Sequence, residues 1–501
     1  MPRSPEVVIA IDQGSSSSRA LAFDPKGRVL ARAQLPIRTF TPKPGWVEHD
    51  ALDIARTVET VLDAVLDKLP AKSLVVGAGL AAQRSTVVLW DSANGRPAAG
   101  APSWMDGRAS AVLESLRSQP ELQREVHEKT GLYLTPYYSA PKIQHLLQHE
   151  PKARALAEAG RLRVGPVSTY LLWRMSKGEV FRVDPAMAQR MMLYDIRKGD
   201  FDERLMALFG VDRESLPAPA PTVGLWLQMR RRGRSFPLLA VMGDQQSAAL
   251  GQGGCEAGIG VLNYGTGAFF LLHTGEALHH IPGLLSSVAW QRRGRPCDYF
   301  LEGTVHAAGI SFKWLKSNFG LLKDVRGVDS ACRRSTHRLF ALQAIGGLGA
   351  PRWDYQTPSV LLGMKSKTRS EDVVRSVTES IALLMSDIVA AARRSKLDIR
   401  ELRASGGLAR IDYLLQFQAD LLQKPIARLR QSEATALGVA SLAAEEADMD
   451  WAARLRSGSS DRMFAPAMDA RKAEALAQGW SRFVCAQQEL CASLRGLGVL
   501  E

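Results

Sequence analysis

Residues Ile11 to Asp24 read IDQGSSSSRALAFD, and the fold turns on how this stretch is read. Before it, Val7 to Ile11 is an unbroken apolar run, the pattern of a strand covered on both faces. After the serines, Ser18 to Phe23 is apolar again, and Pro25-Lys26-Gly27 turns the chain into a third strand from Arg28 to Leu35. One tight bend between two strands thus holds an acid, a glycine, four serines and an arginine. Such a bend aims backbone N–H and side-chain O–H groups at one spot, a concavity suited to phosphate oxygens. Asp12 would be placed to hold a magnesium ion, through water as that ion prefers. Arg19 either adds positive charge there or is an ordinary surface arginine on a strand.

Half the chain further on, Gly260 to Leu278 reads GVLNYGTGAFFLLHTGEAL, again a strand, a turn of glycine and hydroxyl residues, and a second strand. The physical reading is two similar halves, each offering one such hairpin, although a similarity this short also arises by chance. Two turns facing each other, one per domain, would grip a polyphosphate in the cleft between them. Gly406-Gly407, ahead of a helix from Ile411 to Leu422, adds a third backbone approach, where a helix start favours negative charge. The pattern G-x-x-x-x-G-K-S/T is absent, so a P-loop is not the device. The remaining periodicity predicts a helix from Asp50, its cap, to Leu69, and strands over Ser73 to Leu80 and Ser85 to Trp90. Helical segments dominate Arg108 to Lys177, and further helices run over Asp372 to Arg394 and Ala470 to Leu494.

Bulk properties narrow the class. A chain of 501 residues exceeds one compact core, so two domains are expected. At 46% hydrophobic and 23% charged it is an ordinary globular composition. No apolar run approaches the roughly 20 residues that span a bilayer, and MPRSPEVVIAIDQG lacks a leader's layout because Asp12 interrupts it. Five scattered cysteines argue against a disulfide framework or a zinc site, and a cytoplasmic location is expected. The net charge of +13 gathers in Arg230 to Arg234 and in Arg292 to Arg295. Neither cluster is interleaved with aromatic residues that stack on bases, so solvated basic loops are expected and no nucleic acid.

Five stretches carry a resemblance: DQGSSSSR; PKPGWVEHD at Pro42 to Asp50; GDQQSAALGQ at Gly243 to Gln252; NYGTGAF at Asn263 to Phe269; and GLGAPRWD at Gly347 to Asp354. They resemble the FGGY family of carbohydrate kinases, and within it the glycerol kinases. YYSAPKIQHLLQH at Tyr137 to His149 resembles one family signature, with His145 where tryptophan is usual. Ser359 to Leu383, running into VTESIALL, resembles the other. The resemblance implies an α/β fold of two actin-like ATPase (ribonuclease H-like) domains with an interdomain cleft, divided here as 1–247 and 248–501. It implies transfer of phosphate from ATP, with Mg2+, to a primary hydroxyl of a small polyol or sugar. Members often assemble as homodimers or homotetramers.

By the same resemblance Asp244 is the general base and, with Asp12, a metal residue. Its own sequence context also fits a helix cap over Gln245 to Gly251. Arg84, Ser85, Trp104, Tyr137, Gln245 and Phe269 fall at acceptor positions. Ser15, Ser16, Ser17, Arg19, Gly265, Thr266, Gly267, Gly309, Lys313, Gly407 and Ile411 fall at nucleotide positions. Lys313 stands for the family's glutamine, and Ile411 for an asparagine that contacts adenine. Ser85 stands for a glutamate that accepts bonds from two substrate hydroxyls. Losing that carboxylate leaves space and removes hydrogen bonds of about 1.5–3 kcal/mol each. A longer polyol or a ketose is therefore the alternative acceptor. A catalytically silent ligand-binding homologue is the rival from another class.

Overall fold

The computed structural model describes residues 5–430, 433–456 and 460–500. The first four residues of the stretch read for a leader lie outside these. The chain forms two compact units: Met1–Gly253 with Ser286–Tyr299 and Glu433–Ser457, and Gly254–Leu285 with Phe300–Ser432 and Gly458–Glu501. The sequence division after residue 247 has one break, whereas the chain passes between the units several times.

In the first unit, described strands form one sheet in the order Val223–Arg231, Arg234–Gly243, Leu74–Ala82, Glu6–Gln13, Ser17–Phe23, Val29–Pro36. Glu6–Gln13 and Arg234–Gly243 both run parallel to Leu74–Ala82, while Ser17–Phe23 returns antiparallel to Glu6–Gln13. A central strand covered on both faces must be apolar throughout, and Val7 to Ile11 are all fully buried. Val7, Ile9 and Ile11 join the core cluster formed with Ile54, Val58 and Leu62 of the Ala51–Lys68 helix. Asp50 caps that helix, its carboxylate accepting from the Leu52 and Asp53 amides at 2.8 and 3.4 Å. The Ala434–Glu446 helix approaches the sheet at Gly79, where an added Cβ would lie 2.6 Å from the Val439 carbonyl oxygen.

The second unit repeats the pattern. Ala268–Gly275 returns antiparallel on Ile259–Tyr264, which runs parallel to Glu401–Ser405 and through it to Ile426–Leu429; Ser460–Phe464 closes the edge antiparallel. The 24-residue helix Ser370–Arg393 supplies Val377, Ile381, Leu384 and Ile388 to its core. The two hairpins singled out in the sequence therefore hold equivalent positions, each beside a pair of parallel strands.

Three local readings change. Strand Val87–Asp91 begins two residues late, because Ser85 takes a left-handed φ of 62°. After Gly406 the chain makes a 3-10 turn, Gly407–Arg410, and the α-helix begins only at Asp412. Its first amides, Asp412 and Tyr413, donate to the Asp329 carboxylate at 3.2 and 2.7 Å, so an internal anion already satisfies that helix start. The basic cluster at Arg230 to Arg234 is a hairpin turn in which Arg231, Arg232 and Arg234 are engaged, not simply solvated. Arg231 pairs with Asp63 at 2.9 Å, and Arg234 donates to the Ser73 carbonyl at 2.8 Å.

Candidate active site

In the first unit, Asp12 and Asp244 stand at the carboxyl ends of strands that flank Leu74–Ala82. Asp12 is level with Ala81, and Gly243, just before Asp244, is level with Ala82. Register also decides the opening bend. Asp12 lies directly across the hairpin from Arg19, so the two side chains meet in an ion pair. Arg19 reaches Glu433 as well, at 3.1 Å. Burial raises the Asp12 carboxyl above its usual range, and the Arg19 charge opposes the rise. Of the four serines, Ser16 is exposed and Ser15 accepts from the Trp104 indole at 2.8 Å. Ser17 accepts from Gln34 at 2.9 Å, while Ser18 turns inward onto Thr57.

Asp244 opens the helix Asp244–Gly251, but Gly243 is its N-cap and no side chain caps it. The Asp244 carboxylate accepts from the next amide, Gln245, at 2.8 Å. Arg84 Nε lies 3.9 Å from it. Burial pushes the Asp244 carboxyl up to about 6; the Arg84 charge opposes the rise and the Asp12 charge adds to it. Two carboxylates from different strands thus sense one another at one end of the sheet.

The acceptor positions of this unit gather around the same end. Trp104, on the loop after Ala101–Pro102, is 37% exposed, and its ring lies 6.2 Å from that of Tyr137. Ser85 is buried at 4%. Gln245 Oε1 is buried with no hydrogen-bond partner among the described residues, the kind of acceptor that a substrate hydroxyl satisfies. Phe269 belongs to the second unit, where it is half-buried on Ala268–Gly275 opposite Asn263.

In the second unit the Gly265-Thr266-Gly267 turn closes through Gly265 N–H to the Gly267 carbonyl at 2.8 Å. It is tied to the start of the Gly309–Phe319 helix, since Gly309 N–H donates to Gly265 O at 3.0 Å and Ile310 N–H to Thr266 O at 3.1 Å. Only glycine permits this stacking. A Cβ on Gly309 would lie 2.6 Å from Gly265 O, and one on Gly406 would lie 2.4 Å from Tyr264 O. Gly265–Gly267, Gly309 and Gly406 therefore converge within this unit, with Thr266 exposed. Lys313 is exposed on the same helix. Ile411 stands apart: at 3% exposure its side chain belongs to the unit's core.

Glu433 and Lys142 were not anticipated. Glu433 meets Arg19 from 414 residues away, and no local pattern announces such a pair. Lys142 does carry a signal, because helical spacing puts it on the same face as Ser139, Ile143 and Leu146, all buried.

Parallel strands ending in paired acids, with a glycine-walled turn on an equivalent hairpin, are features of a phosphotransferase. Comparison with known proteins agrees. The N-terminal domain model of the FGGY family of carbohydrate kinases matches residues 7–251, and its C-terminal domain model matches residues 260–447. A glycerol kinase of Alkalilimnicola ehrlichii is 37% identical over 96% of this chain and 98% of its own. The structure of Plasmodium falciparum glycerol kinase with ADP superposes with a TM-score of 0.89 at 27% identity, covering 96% of this chain and 98% of that one. A gluconate kinase from Lactobacillus acidophilus, TM-score 0.85 at 17% identity over 98% of each chain, shares the fold. The chain belongs to the FGGY family of carbohydrate kinases. It is an ATP-dependent sugar or polyol kinase, built on the actin-like fold, and no helix among the described residues is long and apolar enough to cross a membrane.

Proposed function

We propose that the chain transfers the terminal phosphoryl group of ATP to a primary hydroxyl of a small polyol of the glycerol type, with Asp244 as general base. The observation that carries this reading is the Asp244 carboxyl itself, held near 6 by burial beside Arg84 and within the field of Asp12. A base poised there is deprotonated at neutral pH yet basic enough to accept an alcohol proton in the transition state. The acceptor proton passes to the Asp244 carboxylate, and its oxygen bonds to the terminal phosphorus. The bond from that phosphorus to the bridging oxygen breaks, and ADP leaves with the electron pair. Arg84, Trp104, Tyr137, Gln245 and Phe269 hold the polyol. Ser15 to Ser17, Arg19, Gly265 to Gly267, Gly309, Lys313 and Gly407 hold the nucleotide.

The donors present fit a nucleotide-borne magnesium ion. No group of three or more His, Cys, Asp or Glu able to hold a metal occurs among the described residues. Mg2+ needs only one or two carboxylates when water and phosphate fill its other positions, and Asp12 and Asp244 would supply those. When bound, the ion neutralises charge on the transferring phosphoryl group.

Ser85 supports a second reading. By the resemblance, its short side chain replaces a glutamate that would receive two hydroxyls, so a longer polyol or ketose would gain room. An assay of ATP consumption against glycerol, four- and five-carbon polyols and ketoses decides between them. The primary reading expects glycerol to give the highest kcat/KM, and a clear preference for a five-carbon substrate would replace it with the second. Thermal stabilisation by nucleotide with no product from any of these would leave a silent binder. For an active enzyme, kcat/KM for the acceptor is expected to rise with pH through about 6 and then level, as the base form of the free enzyme fills. A profile flat from pH 5 to 8 would remove Asp244 from the base role.

A further inference from the structure

Lys142 is fully buried in the Ser139–His149 helix, and the mechanism above does not use it. Its ammonium donates to three backbone carbonyls: Tyr137 at 2.7 Å, Ser85 at 2.8 Å and Ser103 at 2.8 Å. An ammonium has three N–H donors, so all are spent. No carboxylate lies within ion-pair distance of it among the described residues. Burial pushes the Lys142 amine down to about 7; the Asp106 charge opposes the fall and the Arg108 charge adds to it, and these two pair with each other at 2.8 Å.

The three carbonyls come from three separate segments, and each segment bears an acceptor position. Ser85 and Tyr137 are acceptor positions themselves, and Ser103 directly precedes Trp104. The Ser139 hydroxyl also reaches the Ser85 carbonyl, at 3.4 Å. Ser85 is moreover the residue with the left-handed φ of 62°, a conformation that persists only where the surroundings hold it. Burying a cation is costly, and packing alone would be met by an apolar side chain of similar length. A buried ammonium does what such a side chain does not: it draws three chain segments to one point.

We propose that Lys142 is the positioning residue of the acceptor pocket, its ammonium tying Ser85, Ser103–Trp104 and Tyr137 together and so fixing how the polyol is held. The assignment rests on the functional reading above. Its larger effect falls on the acceptor, since none of the three segments carries a nucleotide position and the link to the nucleotide turn is a single bond, from the Trp104 indole to Ser15 at 2.8 Å.

The test compares the full-length wild type with Lys142→Met and Lys142→Gln, the latter keeping two N–H donors. KM for glycerol and for the best acceptor of the panel, KM for ATP, kcat and the thermal shift with ADP are measured. In Lys142→Met the acceptor KM is expected to rise about tenfold or more, because small displacements of positioning groups are felt strongly. The ATP KM should stay within about twofold and the ADP shift should persist. Lys142→Gln should show a smaller rise, and it carries the test if the methionine variant does not fold. An unchanged acceptor KM in a folded variant overturns the assignment, as does a parallel loss in both KM values and kcat. Failure of both variants to fold would assign Lys142 to stability alone and overturn it too. A wild type that phosphorylates no polyol or sugar is a separate result: it overturns the functional reading, and the assignment with it.

Discussion

Asp244→Asn is expected to lower kcat by about 10²- to 10⁴-fold, the usual worth of a general base, while the protein stays folded. Asparagine keeps the size and one acceptor oxygen, so the bond from the Gln245 amide can survive. It cannot take a proton from an alcohol. It also removes a carboxylate that is held above its normal range by burial and by the Asp12 charge, so the folded state loses an unfavourable charge. The thermal midpoint should therefore hold or rise, and the rise of kcat/KM through about pH 6 should vanish with the carboxylate. Steady-state rates over a range of acceptor concentrations, beside a melting curve, give these readouts. Wild-type turnover in this variant would exclude Asp244 as the base.

Gly438→Ala is expected to damage both stability and turnover, from a position with no chemistry of its own. Gly438 lies in the Ala434–Glu446 helix, and a Cβ there would sit 1.8 Å from the Ser247 carbonyl oxygen of the Asp244–Gly251 helix. The approach is reciprocal, because a Cβ on Gly251 would lie 2.0 Å from Ala434 O. The obstacle is backbone on both sides and cannot rotate away, so the helices must separate. Overpacking of this kind costs about 1–3 kcal/mol and more where backbone must move. Alanine's better helix propensity returns at most about 1 kcal/mol. Since Asp244 begins the displaced helix, kcat should also fall, by about tenfold or more. Gly496→Ala is the control: it lies in the Ala470–Gly496 helix with nothing within 4 Å of the new Cβ, and should be neutral or stabilising. A Gly438→Ala protein that melts and turns over like wild type would show that the helix contact is looser than described.

Glu433 and Lys142 show where local pattern stops. Both act on elements that the sequence identifies, the opening bend and the Tyr137 to His149 signature, yet Arg19 for the one, and Ser85 and Ser103 for the other, are reached only through the fold. The helix start after Gly406-Gly407 fails for a related reason. The glycines correctly mark a close backbone approach, but the carboxylate that satisfies the helix comes from Asp329, and no reading of residues 406 to 412 contains it.

The sequence by itself determined what short-range physics controls. Apolar runs and turn residues set the two hairpins; the cap at Asp50 set the first long helix; glycines marked the turns where backbone packs on backbone. The quoted motifs set the family and named Asp12, Arg19 and Asp244. Tertiary structure alone decided which serine of four turns inward, that Ile411 is core, that Asp12 and Asp244 share a sheet end, and that one buried ammonium gathers three loops. Those outcomes depend on register and on burial, which are properties of several segments at once. A carboxyl shifted to about 6 is the clearest case, because its proton affinity is set by neighbours that only folding brings near.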